Sequence, residues 1–528
     1  MKSVMQHQFS QVPKADIPRS RFNRSHGHKT TFDAGYLVPV LIDEALPGDT
    51  INCNMTGFAR LATPLHPIMD NIYLDSFFFA CPVRLLWENW EKFNGEQTNP
   101  GDSTDYLVPE LNMTGISHEI GSIGDHFGLP TGVNDLNTNA LFFRCYNKMF
   151  DDWFRDQNLI DSLEAPTDDG PDDPTHYTLQ RRGKRHDYFT SSLPWPQKGD
   201  SVDIPLGQFA PIVGLGKATQ NFYDTAPADA YETGANASTV YSSYQAIDTT
   251  GADSTFYVKE DPSNIGFPDI RANLQEASAA TINQLRQAFQ LQKLYERDAR
   301  GGTRYTEVIK AHFGVTSPDA RMQRVEYLGG GSSPVVINPI AQTSSTDTTS
   351  PQANLAAIGV AQLNNHGFQK SFTEHCIIIG VVSARADLTY QQGIDRMHSR
   401  QTRWDFYWPA LSHIGEQAVL NKEIYADGSL DDELVFGYQE RYGEYRYKQS
   451  KITGHFRSAS PLTLDTWHLS QDYESRPLLN EEFIQENPPI DRVIATVDEP
   501  HFLFDSYFDY KCARPMPVYG VPGLIDHF

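Results

Sequence analysis

The sequence predicts a mainly β protein, a sandwich of roughly eight or more strands interrupted by long insertions. Three observations lead there. The chain is rich in aromatic residues (30 Phe, 25 Tyr, 7 Trp) and in turn formers (33 Pro, 37 Gly), a composition typical of β-sandwiches. Short runs with period-two alternation, or with continuous β-branched character, recur from residue 50 to the C-terminal third. Strands and helices do not alternate in the α/β manner, and no repeat of 20–50 residues is evident. The length of 528 residues alone would suggest three to four domains, but sandwiches absorb long insertions into one unit. A chain of this size builds its core without disulfides or metals.

Residues 1–30 hold Lys2, Lys14, Arg19, Arg21, Arg24 and Lys29 against one acid, Asp16. The segment is therefore +5, and the remainder carries −29 of the total −24. It reads as a basic arm on an acidic body, one face toward nucleic acid and another toward solvent, or as an ordinary terminus. Gly35 to Ile42 is an apolar run broken by Pro39, which places it at an edge or a bulge. Pro47-Gly48-Asp49 is a turn. Thr50 to Thr56 alternates polar and apolar, a strand with one wet face, and Ile72 to Val83 reads as a largely buried strand.

A helical stripe follows: Leu141, Phe142, Cys145, Tyr146, Met149, Phe150, Trp153 and Phe154, with Arg144, Lys148 and Asp151 mostly off it. A second helix is predicted from about Ala272 to Arg300, stopped by Gly301-Gly302. Its expected buried side holds Leu274, Ile282, Leu285, Phe289, Leu291, Leu294 and Tyr295. Both stripes read as core packing. Residues 216–256 are dominated by small residues and Tyr, and 329–365 contain one charged residue, Asp347. Both segments read as long loops or surface excursions. Cys376 to Val382 is a buried strand, and Phe436 to Tyr447 and Lys451 to Phe456 read as further strands.

The search for chemistry mostly fails. No P-loop, HExxH or GxSxG pattern is present, and Gly329 to Ser333 reads as a flexible hinge or loop. The five cysteines have long spacings and no CxxC pair, so neither a zinc site nor a disulfide framework is expected, and a reducing cytoplasm is the natural compartment. No cofactor is expected. The start has no apolar h-region, and no run approaches the ~20 apolar residues of a membrane span. The overall acidity argues against a free nucleic-acid-binding protein. Asp168 to Asp173 is an acidic run that reads either as a hard-cation site or as a solvated loop. Arg181, Arg182, Lys184 and Arg185 form a cluster with two readings: phosphate neutralisation with Tyr188 and Phe189 as stacking faces, or ion pairing with a neighbouring subunit or the acidic run.

The stretches HKTTFDAGYLVPVLIDEALPGDT, RRGKRHDYFTSSLPWPQKGD, ERDARGGTRYTEVIKAHFGVTSPDARMQRVEYLGG, LDTWHLSQDY and ARPMPVYGVPGLIDHF, spread from residue 28 to the C-terminus, resemble the major capsid proteins of gokushoviruses, within the Microviridae. The resemblance implies an eight-stranded antiparallel jelly roll with large inter-strand insertions containing helices and long loops. It implies a non-enzymatic protein that self-assembles into a T=1 icosahedral shell around circular single-stranded DNA. Its expected partners are copies of itself, the packaged DNA, a small basic internal protein, a minor pilot protein and a host cell-surface receptor. Localisation in the virion, after assembly in the bacterial cytoplasm, follows.

The expected layout is a basic arm over 1–30 and one jelly-roll domain over 31–528. Its insertions are a helical one at about 85–190, a threefold protrusion at about 214–268 and a helix plus flexible loop at about 271–365, with a C-terminal tail at about 499–528. Candidate DNA-facing residues are Arg19, Arg21, Arg24, Lys29, Arg181, Arg182, Lys184 and Arg185. Candidate host contacts are Tyr223, Tyr231, Tyr241 and Tyr244. The competing class is a sandwich-fold carbohydrate-binding or carbohydrate-active protein, which would usually carry a signal peptide.

Overall fold

The computed structural model describes residues 18–202, 212–213, 271–272, 282–316, 323–343, 352 and 354–519. They fall into two compact units, Met1–Pro196 with Gly302–Phe528, and Gln197–Gly301. In chain order the main elements are β1 (Ser20–Asn23), β2 (His26–Phe32), β3 (Val38–Ala45), β4 (Thr50–Leu61), β5 (Ile72–Pro82), α1 (Leu141–Trp153), α2 (Ile282–Gly301) and α3 (Tyr305–Phe313). Then come β6 (Glu326–Pro334), β7 (Val336–Ala341), β8 (Leu355–Ser371), β9 (Cys376–Ala386), β10 (Glu416–Leu420), β11 (Val435–Glu440) and β12 (Phe502–Arg514).

Two antiparallel sheets make the larger unit. The first runs β1-β12-β4-β8-β7, with β2 also on β12; the second runs β6-β5-β9-β3. Alternation decides which faces meet. On β4, Ile51, Cys53, Met55, Ala59 and Leu61 are buried while Phe58 stays half-exposed. They pack with Phe502, Phe504 and Phe508 of β12 against Val38, Leu74, Phe78, Ile378 and Val382 of the other sheet. The second sheet is buried on its other face too. Phe79, Cys81, Ile377, Ile379 and Val381 lie under Phe143, Tyr146, Met149 and Phe150 of α1, with Trp87 beside them. Each such side chain contributes roughly 1.5–3 kcal/mol on burial. Double coverage is why β5 and β9 read as continuous apolar runs, whereas β4, with one wet face, alternates.

Pro39 has both features that its sequence suggested. β3 is the edge strand of its sheet, and its register on β9 shifts between Leu41 and Pro39. An edge and a bulge each spare proline's missing N–H.

Several expectations are corrected. The described residues 329–343 and 354–365 are not a flexible loop: they contribute most of β6, all of β7 and most of β8. β6 pairs with β5 as far as Pro334 opposite Tyr73, and β7 then pairs with β8 from Val336 opposite Val360. The chain thus passes from one sheet to the other at this corner, and its glycines permit the close approach. A Cβ on Gly330 would lie 2.0 Å from the Ser76 carbonyl oxygen, and one on Gly329 2.4 Å from that of Gly367. The C-terminal segment is not a tail over 502–514, where β12 pairs with β1, β2 and β4. Nor is the N-terminal segment an arm from Ser20 onward, because β1 and β2 border that strand. Lys451 to Phe456 is not a strand: Gly454 has φ +68° and opens a 3-10 turn. β11 stops at Glu440, before Tyr442 at φ +63°.

In the smaller unit, the helix expected from 272 is described from Ile282 to Gly301; Leu274 lies outside the described residues. Its stripe is not buried as expected, since Ile282, Phe289, Leu291 and Leu294 are exposed and only Ala299 is buried. In the same unit Ile212–Val213 pairs with Arg271–Ala272.

Candidate interaction surfaces

The N-terminal cations sit along the border formed by β1 and β2. Arg19 is exposed and donates to the Thr50 hydroxyl. Arg21 is exposed on β1. Arg24 donates to both carboxylate oxygens of Asp43, at 2.5 and 2.8 Å, and lies 5.6 Å from the Tyr510 ring centroid. Lys29 is 3.7 Å from Asp505, both of them open to solvent, so that pair adds little. Beside β2 runs a groove of about 570 Å³ lined by His28, Lys29, Thr31, Phe58, Arg60, His126 and Leu503. Burial holds the imidazoles of His28 and His126 below their ordinary range. The border is therefore mixed in charge, not a uniform basic arm.

The cluster at 181–185 is drawn largely inward. Arg181 stacks 4.1 Å over Tyr36 and donates to Asn487 Oδ1 at 2.9 Å. Arg182 and Arg385 share Asp75 Oδ2, at 2.7 and 2.8 Å. Lys184 is buried and donates to the Phe483 carbonyl at 2.7 Å and to Gln471 Oε1 at 2.9 Å. Burial lowers its pKa from the usual lysine range to about 8. Arg185 alone of the four has a largely exposed side chain, 3.5 Å from Asp387. Tyr188 and Phe189 are buried with Val419, Ile424 and Phe436, which removes them as stacking faces. The pairing partners are acids and carbonyls of this chain, distant in sequence, not the acidic run upstream.

That run has a partner of its own. Arg144, placed off the apolar stripe by its residue type, is fully buried on α1 and aims into the run. Its Nε and Nη2 donate to Asp172 at 2.8 and 2.5 Å, and Nη1 donates to the carbonyls of Leu86 and Asp168. Asp169 Oδ1 accepts from Trp87 Nε1 at 2.7 Å and from Asn89 Nδ2 at 2.9 Å. Asp168, Asp169 and Asp173 are exposed and only Asp172 is buried, so the run is a largely solvated loop pinned at Asp172 by a buried guanidinium. Sequence reasoning missed this anchor; the one available signal was a cation flanked by Phe143 and Cys145 in an otherwise apolar helix. All five cysteines are free and buried, and burial pushes the Cys53 thiol up to about 12.

Tyr223, Tyr231, Tyr241 and Tyr244 lie outside the described residues. Among the described residues, no group of three His, Cys, Asp or Glu is placed to hold a metal ion, and no helix is long and apolar enough to cross a membrane.

Among the described residues, the buried charges Arg144 and Lys184 and the half-buried Arg182 pair with groups of the sandwich itself. The family model described as "Capsid protein (F protein)" matches residues 10–524, and the chain belongs to this family of capsid proteins. Capsid protein VP1 of Bdellovibrio phage phiMH2K is 50 % identical, covering 99 % of this chain and 98 % of that protein. Capsid protein VP1 of Chlamydia phage 1 is 45 % identical, over 99 % and 98 %. Capsid protein VP1 of Spiroplasma virus 4 is 35 % identical, over 98 % and 97 %. These matches agree with the resemblance to Microviridae capsid proteins and identify a non-enzymatic, virion-associated structural role.

Proposed function

We propose that the chain is the major subunit of a T=1 icosahedral shell enclosing circular single-stranded DNA. The observation that carries this reading is the end-to-end similarity to phage capsid proteins, 50 % over 99 % of the chain. The strands of the two sheets are read as an eight-stranded jelly roll with added edge strands. Such a sandwich makes a stiff building block with short, managed edges. The exposed cations Arg19, Arg21, Lys29 and Arg185 are assigned to the interior, against DNA phosphates. A net charge of −24 leaves most neutralisation to a separate, small basic internal protein, and a minor pilot protein completes the particle. Assembly is assigned to the bacterial cytoplasm.

The segment 214–268 is assigned to a protrusion that meets the host receptor, with Tyr223, Tyr231, Tyr241 and Tyr244 as contacts. In support, the Ile212–Val213 and Arg271–Ala272 ladder ties its two ends together, so the segment leaves and returns at one place. The test is negative-stain electron microscopy of the protein expressed alone and with its viral partners. Uniform icosahedral particles are expected. Monomers of 59.5 kDa under both conditions would overturn the reading.

A further inference from the structure

Residues 401–410 are exposed at every position, yet the segment reads QTRWDFYWPA and is held in place by side-chain contacts. Arg403 stacks on Trp408 at 4.5 Å and on Trp404 at 5.1 Å. Trp408 Nε1 donates to the Arg403 carbonyl at 3.1 Å. Arg400 lies 4.3 Å from the Tyr445 ring centroid and 5.6 Å from that of Phe406, and Tyr407 packs against Tyr445 at 6.1 Å. Beneath them Arg400 is fixed by Glu444 at 3.2 Å, both side chains nearly buried. The five aromatic rings therefore form two braced groups, Trp404 and Trp408 on Arg403 and Phe406, Tyr407 and Tyr445 around Arg400, adjoining along the chain at Tyr407 and Trp408.

Trp404, Phe406, Tyr407 and Tyr445 are each about half exposed, and Trp408 is 38 % exposed. Large aromatics bury roughly 150–250 Å² each, so these rings leave on the order of 500 Å² of aromatic surface in contact with water. Monomeric proteins rarely expose more than a few hundred Å² of contiguous apolar surface. A standard interface buries about 800 Å² per partner, and its energetic centre is enriched in Trp, Tyr and Arg. This patch has that composition, and its roughly 500 Å² would supply a little over half of that area, enough for the energetic centre of an interface. Its rings are already pinned by arginine stacking, which lowers the entropy lost on docking.

We infer that this aromatic platform is a contact surface between neighbouring copies of the chain in the shell. The inference rests on the shell reading above. A second copy is the occupant that a capsid family supplies at every subunit, and the near-neutral patch, with Arg400 answered by Glu444, has no charge excess to attract nucleic acid.

The test uses full-length protein in two arms. Hydroxyl-radical footprinting compares Trp404, Trp408 and Tyr445 in particles of this chain and in subunits released from them. Protection in the particle and oxidation in the subunit are expected. Equal oxidation in both states would overturn the inference. So would protection that appears only when other virion proteins are present, which would assign the patch to one of those partners. The second arm is the W404E/F406E variant, altered at two exposed positions. Loss of one hot-spot contact weakens association about 30-fold, so folded subunits without particles are expected; particles at the unaltered yield would overturn the inference. If the unaltered chain gives no particles either alone or with its viral partners, the shell reading falls and this inference with it, an outcome distinct from failure of the variant alone.

Discussion

Arg144 has no exposed side-chain surface, and Asp172 is 1 % exposed. Replacing Arg144 with Met would leave that carboxylate buried, with the Tyr177 hydroxyl as its remaining charge-assisted donor. Breaking a buried pair from one side costs about 3–5 kcal/mol. A clear fall in the urea midpoint of Arg144→Met is expected; an unchanged midpoint would show that the 168–172 loop is anchored by other contacts. His366 is a second buried polar side chain, with Ser76 Oγ 2.8 Å from Nδ1 and Ser333 Oγ 3.2 Å from Nε2. Burial lowers its pKa from 6.5, against the opposing pull of Asp75. The unfolded chain therefore binds this proton more readily, so the stability contribution is complete above about pH 6.5 and is lost as pH falls below it. His28 and His126 are shifted in the same direction. The thermal midpoint should fall between pH 7 and pH 5, and His366→Gln should flatten part of that fall. An identical slope in the variant would remove His366 from the account.

At the scale of elements, the corner between the sheets depends on β6 lying close to both β5 and β8. Gly330→Ala would place a Cβ 2.0 Å from the Ser76 carbonyl oxygen, backbone that cannot swing aside as a side chain would. Overpacking of this kind costs about 1–3 kcal/mol. A lowered denaturation midpoint with unchanged secondary structure by circular dichroism is expected, and a neutral result would mean that β6 can shift along its partner. The same residues show where the sequence was legible. β4, β5, β9 and α1 could be read because alternation, continuous burial and the 3.6-residue stripe are local signals. β6 to β8 could not, because small uncharged residues that permit close approach look the same as residues with nothing to bury. β12 reads as a tail in the sequence because its partners, β2 and β4, lie more than 400 residues away. At the candidate site, the basic types at 181–185 were visible, but their partners Asp75, Gln471 and Asn487 were not, being set by the fold and not by spacing.

At the scale of the whole molecule, the division at Gln197 and Gly301 bears on the protrusion. Ile212 and Ala272 are paired directly across the ladder, and antiparallel partners sit about 5 Å apart. A short Gly-Ser bridge between Val213 and Arg271 could therefore replace the intervening residues without pulling the ladder open. Loop-closure entropy changes only with the logarithm of loop length, so shortening the segment should cost the sandwich little. The deletion is expected to leave particle yield by electron microscopy unchanged and to abolish adsorption to host cells, measured by depletion of particles from the supernatant. Undiminished adsorption would take host recognition away from this segment. Loss of particles would instead give it a part in assembly, and would turn attention to the exposed face of α2, where Ile282 and Phe289 lack the burial their helical stripe predicts.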